Sequence, residues 1–518
     1  MKRLVPAAPA SAGPMVALFG GLVLLALLIG LVGAIGGWIA QLLLLTLVVP
    51  MALLVSDYRI GLVLLIVLMP YANSRLIPQL GPLSIINLVL AGVCALYLLR
   101  MVLARMSRKP AHLPVERELL LFYVLPVTMA AVVGTMHLGE IPQYFLVVSK
   151  IEKYGLKEYW ISHYFKTMLL VLTACIMGAA VVEYGKGKRF AVALAVSAVL
   201  FVLAMMALIA ISGMSLDRLK DARSFLSLLG RHNNEAGVLL TTALGPMLFM
   251  HAHLRHRIGR LALGTAVGLV IVGILLTFSR GAFLGLVAII AMYVLHFRRV
   301  KTALTVLALL VVAAALAPAA VYERLGRGLD ERAAGASLNS ETDELTAGRV
   351  YTWKQLAPEV LRSPVWGRGQ LSTQWSNHVK TTWYNANHPH NMYLEILMDM
   401  GLIGAVAMFL FYRHVWRTFR RLGRDERVPE AMRGFFIGAS AGLLSMLVYG
   451  LSNGHYYPAP EQIFYWVTVG LAFGYAAWLR QQAPAAPAKV VPTTVARGWR
   501  VPADRILRPA PKSWRPGA

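Results

Sequence analysis

The sequence predicts an all-α polytopic integral membrane protein of about 12–14 transmembrane helices, with one large outer loop containing amphipathic helices. Two observations predict it. Of 518 residues, 58% are hydrophobic and 14% are charged, and the mean hydropathy is +0.63. Windows of about 20 apolar residues, the length that crosses a hydrocarbon core as helix, recur along the chain. The charge distribution agrees with both. A net charge of +26 would suggest nucleic acid in a soluble protein, but here RHRIGR (255–260), HFRRVK (296–301) and YRHVWRTFRRLGRDER (412–427) concentrate the cations in short loops. Such loops stay on the cytoplasmic side. No nucleic-acid partner is expected; membrane lipids are. The chain has no Gly-rich phosphate loop of the nucleotide-binding kind.

Apolar runs lie near 15–36, 38–55, 60–71, 83–103, 118–136, 166–184, 190–212, 236–253, 261–278, 282–297, 302–320, 394–412, 434–452 and 462–479. They organise the chain into a cytoplasmic N-terminus (1–14) and a helix bundle (15–320) with an interfacial segment at 213–235. A large outer loop (321–393), the C-terminal membrane helices (394–480) and a basic Pro/Ala-rich tail (481–518) follow. The tail has no hydrophobic period and is expected to be disordered at the inner surface, where anionic lipid attracts it. No small-residue cleavage site follows the first apolar run, so that run reads as a retained helix. Cys94 and Cys175 sit in apolar runs without metal or disulfide spacing and read as packed thiols.

The polar residues that interrupt this pattern carry the chemistry. Arg280 stands in LLTFSRGAFLGLV (275–287), inside apolar sequence running from Leu261 to Leu295. It either snorkels to the headgroups or faces the bundle interior, where ionisable groups serve binding or transport. A guanidinium fork suits phosphate. On the same side, Ser215–Gly237 holds Arg218, Lys220, Arg223 and Arg231 along an amphipathic pattern. It reads as an interfacial helix, with Arg223 or Arg231 available to join Arg280 around a polyanion. Asn233 and Asn234 read as caps of the next helix.

In the large loop, GRVYTWKQLAPEVLRSPVWGRG (348–369) predicts an amphipathic helix followed by a Pro/Gly turn. Trp366, Trp375, Trp383 and Tyr384 either stack on a ligand or form loop core. His388 and His390 in HPH lack further ligands at a metal-site spacing, so no metal is expected. His390 reads better as a base or a hydrogen-bonding group, because imidazole titrates near pH 6.5. Asn391, Glu395 and Asp399 follow at i, i+4 and i+8, on one face of an otherwise apolar helix. That stripe must turn inward, for structure or for catalysis. Gly401 and Gly404 are expected to let a neighbouring helix pack closely.

His390-Asn391, nine residues, then Gly401-x-x-Gly404 resembles the signature of the bacterial O-antigen ligase and polysaccharide polymerase superfamily. Arg349…Trp353…Pro364…Gly367-x-Gly369 resembles that family's loop, Ser279-Arg280-Gly281 its helix-end arginine motif, and Arg223…Asn234 (or Arg231) its earlier Arg…Asn element. The resemblance spans about residues 215–410, and the N-terminal third is matched only as a membrane bundle. It implies a metal-independent, cofactor-free glycosyltransferase of the bacterial inner membrane, with its large loop and active site at the periplasmic face. The donor would be a glycan on undecaprenyl diphosphate, and the acceptor lipid A core or another glycan. Arg280 with Arg223 or Arg231 would bind the diphosphate, and His390 would activate or orient the acceptor hydroxyl. Asn391, Glu395, Asp399, Arg349 and Asn234 would support them. Ligase and polymerase share this donor chemistry. A transporter or flippase of lipid-linked sugars is disfavoured, because polar residues collect at one face instead of spreading through midplane helices.

Overall fold

The computed structural model describes residues 57–77, 79–80, 83–107, 113–142, 155–185, 187–213, 225–297, 349–381 and 388–482. The expected crossings at 15–36, 38–55 and 302–320, residues 214–224 of segment 213–235, both termini, Arg223, Trp383 and Tyr384 lie outside these residues. So does the first part of the large loop. The helices are α1 Tyr58–Leu68, α2 Ile85–Met106, α3 Arg117–Thr135, α4 Leu156–Tyr184, α5 Lys188–Ser212 and α6 Asn233–His253. They continue as α7 Arg257–Leu276, α8 Arg280–Phe297, α9 Arg349–Val360, α10 Met392–Leu422, α11 Glu430–Gly450 and α12 Pro460–Gln482. Strand pairing among the described residues is confined to a two-residue antiparallel bridge, Gln79–Leu80 against Leu83–Ser84.

The chain is an all-α, multi-pass membrane protein. Among the described residues, nine helices (α2–α5, α7, α8 and α10–α12) are long and apolar enough to cross a membrane. The expected crossing at 60–71 is α1, which at 11 residues is too short to span, even with the turn that carries it to Tyr71. The expected crossing at 236–253 is α6, long enough at 21 residues but more polar, and outside those nine.

α6 lies at the centre of the bundle and is buried almost all round, so its apolar residues show no single face. Its close neighbour is α11. Gly245 of α6 meets the backbone of Gly438 and Gly442 of α11, where a Cβ on either side would overlap main chain. Small residues are what let two membrane helices approach that closely. α7 and α8 form a hairpin around Thr277–Ser279, with Phe278 in the left-handed region (φ 50°). Arg280 is therefore the first residue of α8.

The expected amphipathic helix in the large loop is α9. It ends at Val360, and Leu361 lies beyond it, exposed. α10 is broken at Gly401 (φ 62°, ψ −161°), a conformation open to glycine and strained for any side chain. The loop after α9 fills the break. Arg368 N–H and Gly369 N–H donate to the carbonyls of Met398 and Asp399, at 2.8 and 2.9 Å. Leu402 N–H and Ile403 N–H donate to Pro364 and Val365, at 2.8 and 3.2 Å. Gly401 thus serves backbone pairing between loop and helix, not the helix–helix approach its spacing suggests.

Candidate active site

The site gathers where α6, α8, α10 and α11 begin or end. His390 immediately precedes the cap of α10 and has a left-handed backbone (φ 51°). Its N–H donates to His388 Nδ1 at 3.1 Å, and Trp353 of α9 donates its indole N–H to the Pro389 carbonyl at 2.8 Å. Trp353 of the Arg349…Trp353 motif therefore holds the HPH loop in place. Asn391 caps α10, accepting from Tyr393 N–H (2.9 Å) and Leu394 N–H (3.0 Å), while its amide donates to Leu451 O (3.2 Å).

The loop after α11 completes the arrangement. His390 Nδ1 lies 3.1 Å from Asn453 Oδ1. Asn453 Nδ2 donates to Tyr449 Oη at 2.6 Å, with Oδ1 toward the imidazole. An accepting oxygen requires Nδ1–H, so the lone pair of the neutral ring is on Nε2. Burial holds His390 below the ordinary imidazole value, with the Asn453 hydrogen bond opposing and the charge of Arg349 adding to the shift. The ring is therefore neutral near pH 7.

His455 is the opposite case. Burial disfavours its charge, but Glu395 at 2.9 Å, with Glu461 and Glu235 beyond, raises it to about 9. It is a half-buried cation near a neutral His390. His388 stands between them, with ring centroids 4.0 Å from His390 and 4.5 Å from His455. The metal-ligating atoms of His388, Glu395 and His455 lie within 4.8 Å of one another, a set that could hold a divalent ion. Sequence spacing did not show this set, because His455 comes from the far side of α11.

The SRG turn packs on the same segment. A Cβ at Gly281 would collide with the Tyr449 ring and Ser452 Oγ, so α8 begins directly against the residues that orient His390. Arg280 sits at a helix N-terminus, where the dipole is already positive and only an anion is favoured. Gly237 of α6 faces Ser279 and Ala282 across a gap too small for a Cβ. Asn233, one turn earlier on that face, is buried, and neither atom of its amide has a hydrogen-bond partner among the described residues.

The Asn pair does not cap α6. His232 does, through Nδ1 accepting from Asn234 N–H (3.3 Å), with Glu235 reaching back to His232 N–H (3.5 Å). Asn234 is half-buried on the neighbouring face. Arg231 is enclosed: it donates to the carbonyls of Pro70 (2.7 Å) and Met69 (2.8 Å) and lies 3.5 Å from both Glu235 and Glu461. Those partners tie the turn after α1 to α6 and α12. Asp399 is also taken, accepting from Ser372 N–H (3.0 Å), Ser372 Oγ (2.6 Å), Leu371 N–H (3.2 Å) and Tyr456 Oη (2.9 Å). Trp375 is fully buried in a small core with Tyr159, Leu371 and Val379, which removes it from any stacking surface; Trp366 is exposed. Sequence reasoning missed Asn233, Tyr449, Asn453 and His455.

The family model described as O-antigen ligase matches residues 265–409, the stretch from α7 to the middle of α10. That segment belongs to the O-antigen ligase family. No curated protein matches the chain. The ligase-family segment contains Arg280, Arg349, Trp353, His390, Asn391, Glu395 and Asp399. It carries an O-antigen ligase or polymerase type of function, glycosyltransferase-like and set in a membrane.

Proposed function

We propose that the protein is an O-antigen ligase-like glycosyltransferase. It moves a glycan from undecaprenyl diphosphate to an acceptor hydroxyl on lipid A core or another glycan, at the periplasmic face of the inner membrane. The observation that carries this reading is the neutral His390, its Nε2 lone pair set by Asn453, beside a turn that starts α8 with Arg280.

In this reading Arg280 and the α8 N-terminus hold the diphosphate, with Arg223 as a second cation. Asn233 supplies a neutral donor from α6. Arg231, already engaged by two carbonyls and two carboxylates, acts as a brace. The acceptor oxygen attacks the anomeric carbon and gives its proton to His390 Nε2. The bond to the diphosphate oxygen breaks, and the leaving group departs with its electron pair onto the cations, as electrostatic catalysis requires. In this reading transfer is metal-independent, and His455 and Glu395 pair with each other at 2.9 Å.

The test uses purified protein and a lipid-diphosphate-linked repeat unit, with and without lipid A core, resolved on a gel in EDTA. The ligase reading expects a single shift that requires core and survives the chelator. A ladder of carrier-linked chains formed without core identifies a polymerase. Absence of any product rejects transfer, and loss of product in EDTA rejects metal independence.

A further inference from the structure

Away from His390, α8, α10 and α11 enclose a groove of about 910 Å3. Arg417, Arg420, Arg421 and Arg424 line it. They recur at i, i+3, i+4 and i+7, so they share one face of α10 and the turn beyond it. Like charges at that spacing repel one another. The carboxylate in the wall, Asp425, is engaged at 2.6 Å by Arg427, which is not a groove residue. Among the described residues, no ion pair within 4.0 Å engages any of the four guanidiniums.

The other wall is apolar, with Leu295, Leu444 and Trp416. Trp416 also lines a second groove of about 540 Å3, which continues along Tyr412, Met408, Leu443 and Leu447 between α10 and α11. A concentrated cationic patch therefore opens onto an apolar channel, with one indole shared between them. Retention of a loop in the cytoplasm requires cations on that side. It does not require four of them on one helix face around a single cavity that leads to an apolar one.

We propose that this pair of grooves binds an anionic phospholipid with two phosphates, of the diphosphatidylglycerol class. The phosphates lie on the arginines and an acyl chain lies past Trp416. Two guanidinium forks suit each phosphate, and basic pockets between membrane helices at the cytoplasmic side take such headgroups. The site is separate from His390 and does not depend on the transferase reading.

The full-length protein, purified in detergent, is offered equal amounts of tetraoleoyl diphosphatidylglycerol, phosphatidylglycerol and phosphatidylcholine, and bound lipid is read by native mass spectrometry. Diphosphatidylglycerol is expected to be retained at least about tenfold over phosphatidylcholine, and retention to drop by about tenfold in Arg420→Gln/Arg424→Gln. Arg257→Gln/Arg260→Gln removes the same two charges at exposed positions of α7 outside the groove and is expected to retain lipid. Trp416→Ala, which keeps every charge, is expected to weaken retention too. Equal retention of all three lipids overturns the proposal, as does equal loss in the Arg257→Gln/Arg260→Gln variant. Full displacement by inorganic pyrophosphate at equal concentration also overturns it, since a site that needs no acyl chain is an anion site and not a lipid site.

Discussion

His390 holds a left-handed backbone, and such a conformation costs a non-glycine residue on the order of 1–3 kcal/mol. The strain is held by the His388 hydrogen bond, the Trp353 contact to Pro389 and the Asn453 hydrogen bond. Two titrations follow from the same neighbourhood. His390 must be neutral to take a proton, and burial holds it below 6.5, so transfer should reach its plateau with a midpoint under pH 6.5. His455 is raised to about 9. Its folded value exceeds the unfolded one, so its contribution to stability is complete below pH 6.5 and is lost as pH rises through about 9. Transfer and thermal stability should both decline above pH 9. A transfer midpoint above pH 7 would remove His390 as the base. At α6, Asn233 and not Asn234 faces the SRG turn. An unsatisfied buried amide costs about 1–3 kcal/mol, so Asn233→Leu should leave stability equal or higher while cutting donor affinity. Asn234→Ala should change donor affinity little, and equal effects of the two substitutions would contradict the placement.

At the scale of elements, the central device is the broken α10. Its sequence shows an acidic stripe and two glycines, from which an inward-facing helix was legible. The break was not, because the four hydrogen bonds between residues 364–369 and 398–403 join segments about thirty residues apart. The same pairing explains Asp399. It looked equally suited to catalysis and to structure, and it spends its lone pairs on Ser372, Leu371 and Tyr456. Asp399→Ala leaves those buried donors unpaired and should cost about 3 kcal/mol. Thermal unfolding in detergent should show it, with transfer lost in proportion to folded protein. A variant fully folded yet inactive would give Asp399 a catalytic role instead. α9 was legible from its period, and its reason is now concrete: it carries the Trp353 donor that fixes the HPH loop.

At the scale of the molecule, composition and apolar length predicted a polytopic helical bundle, and the nine candidate spans agree with it. The crossing read at 60–71 corresponds to α1, an apolar helix shorter than the nine candidate spans. Motif spacing pointed to Arg280 and His390 but not to Asn453, Tyr449 or His455, which follow α11 or end it and have no local signature. Single polar residues in a loop acquire meaning only when the fold places them beside a partner. What unites the whole is convergence: α6, α8, α10 and α11 deliver an unpaired amide, a cation at a helix N-terminus, an oriented imidazole and the residue that orients it to one end of the bundle. The most direct measurement is single-turnover transfer with release of undecaprenyl diphosphate, comparing wild type with His390→Asn. Asparagine accepts the left-handed backbone, so fold and donor binding should persist. The account predicts that sugar transfer and diphosphate release fall together, by about 100-fold or more, as expected for loss of a general base. Transfer by His390→Asn at the wild-type rate would contradict it.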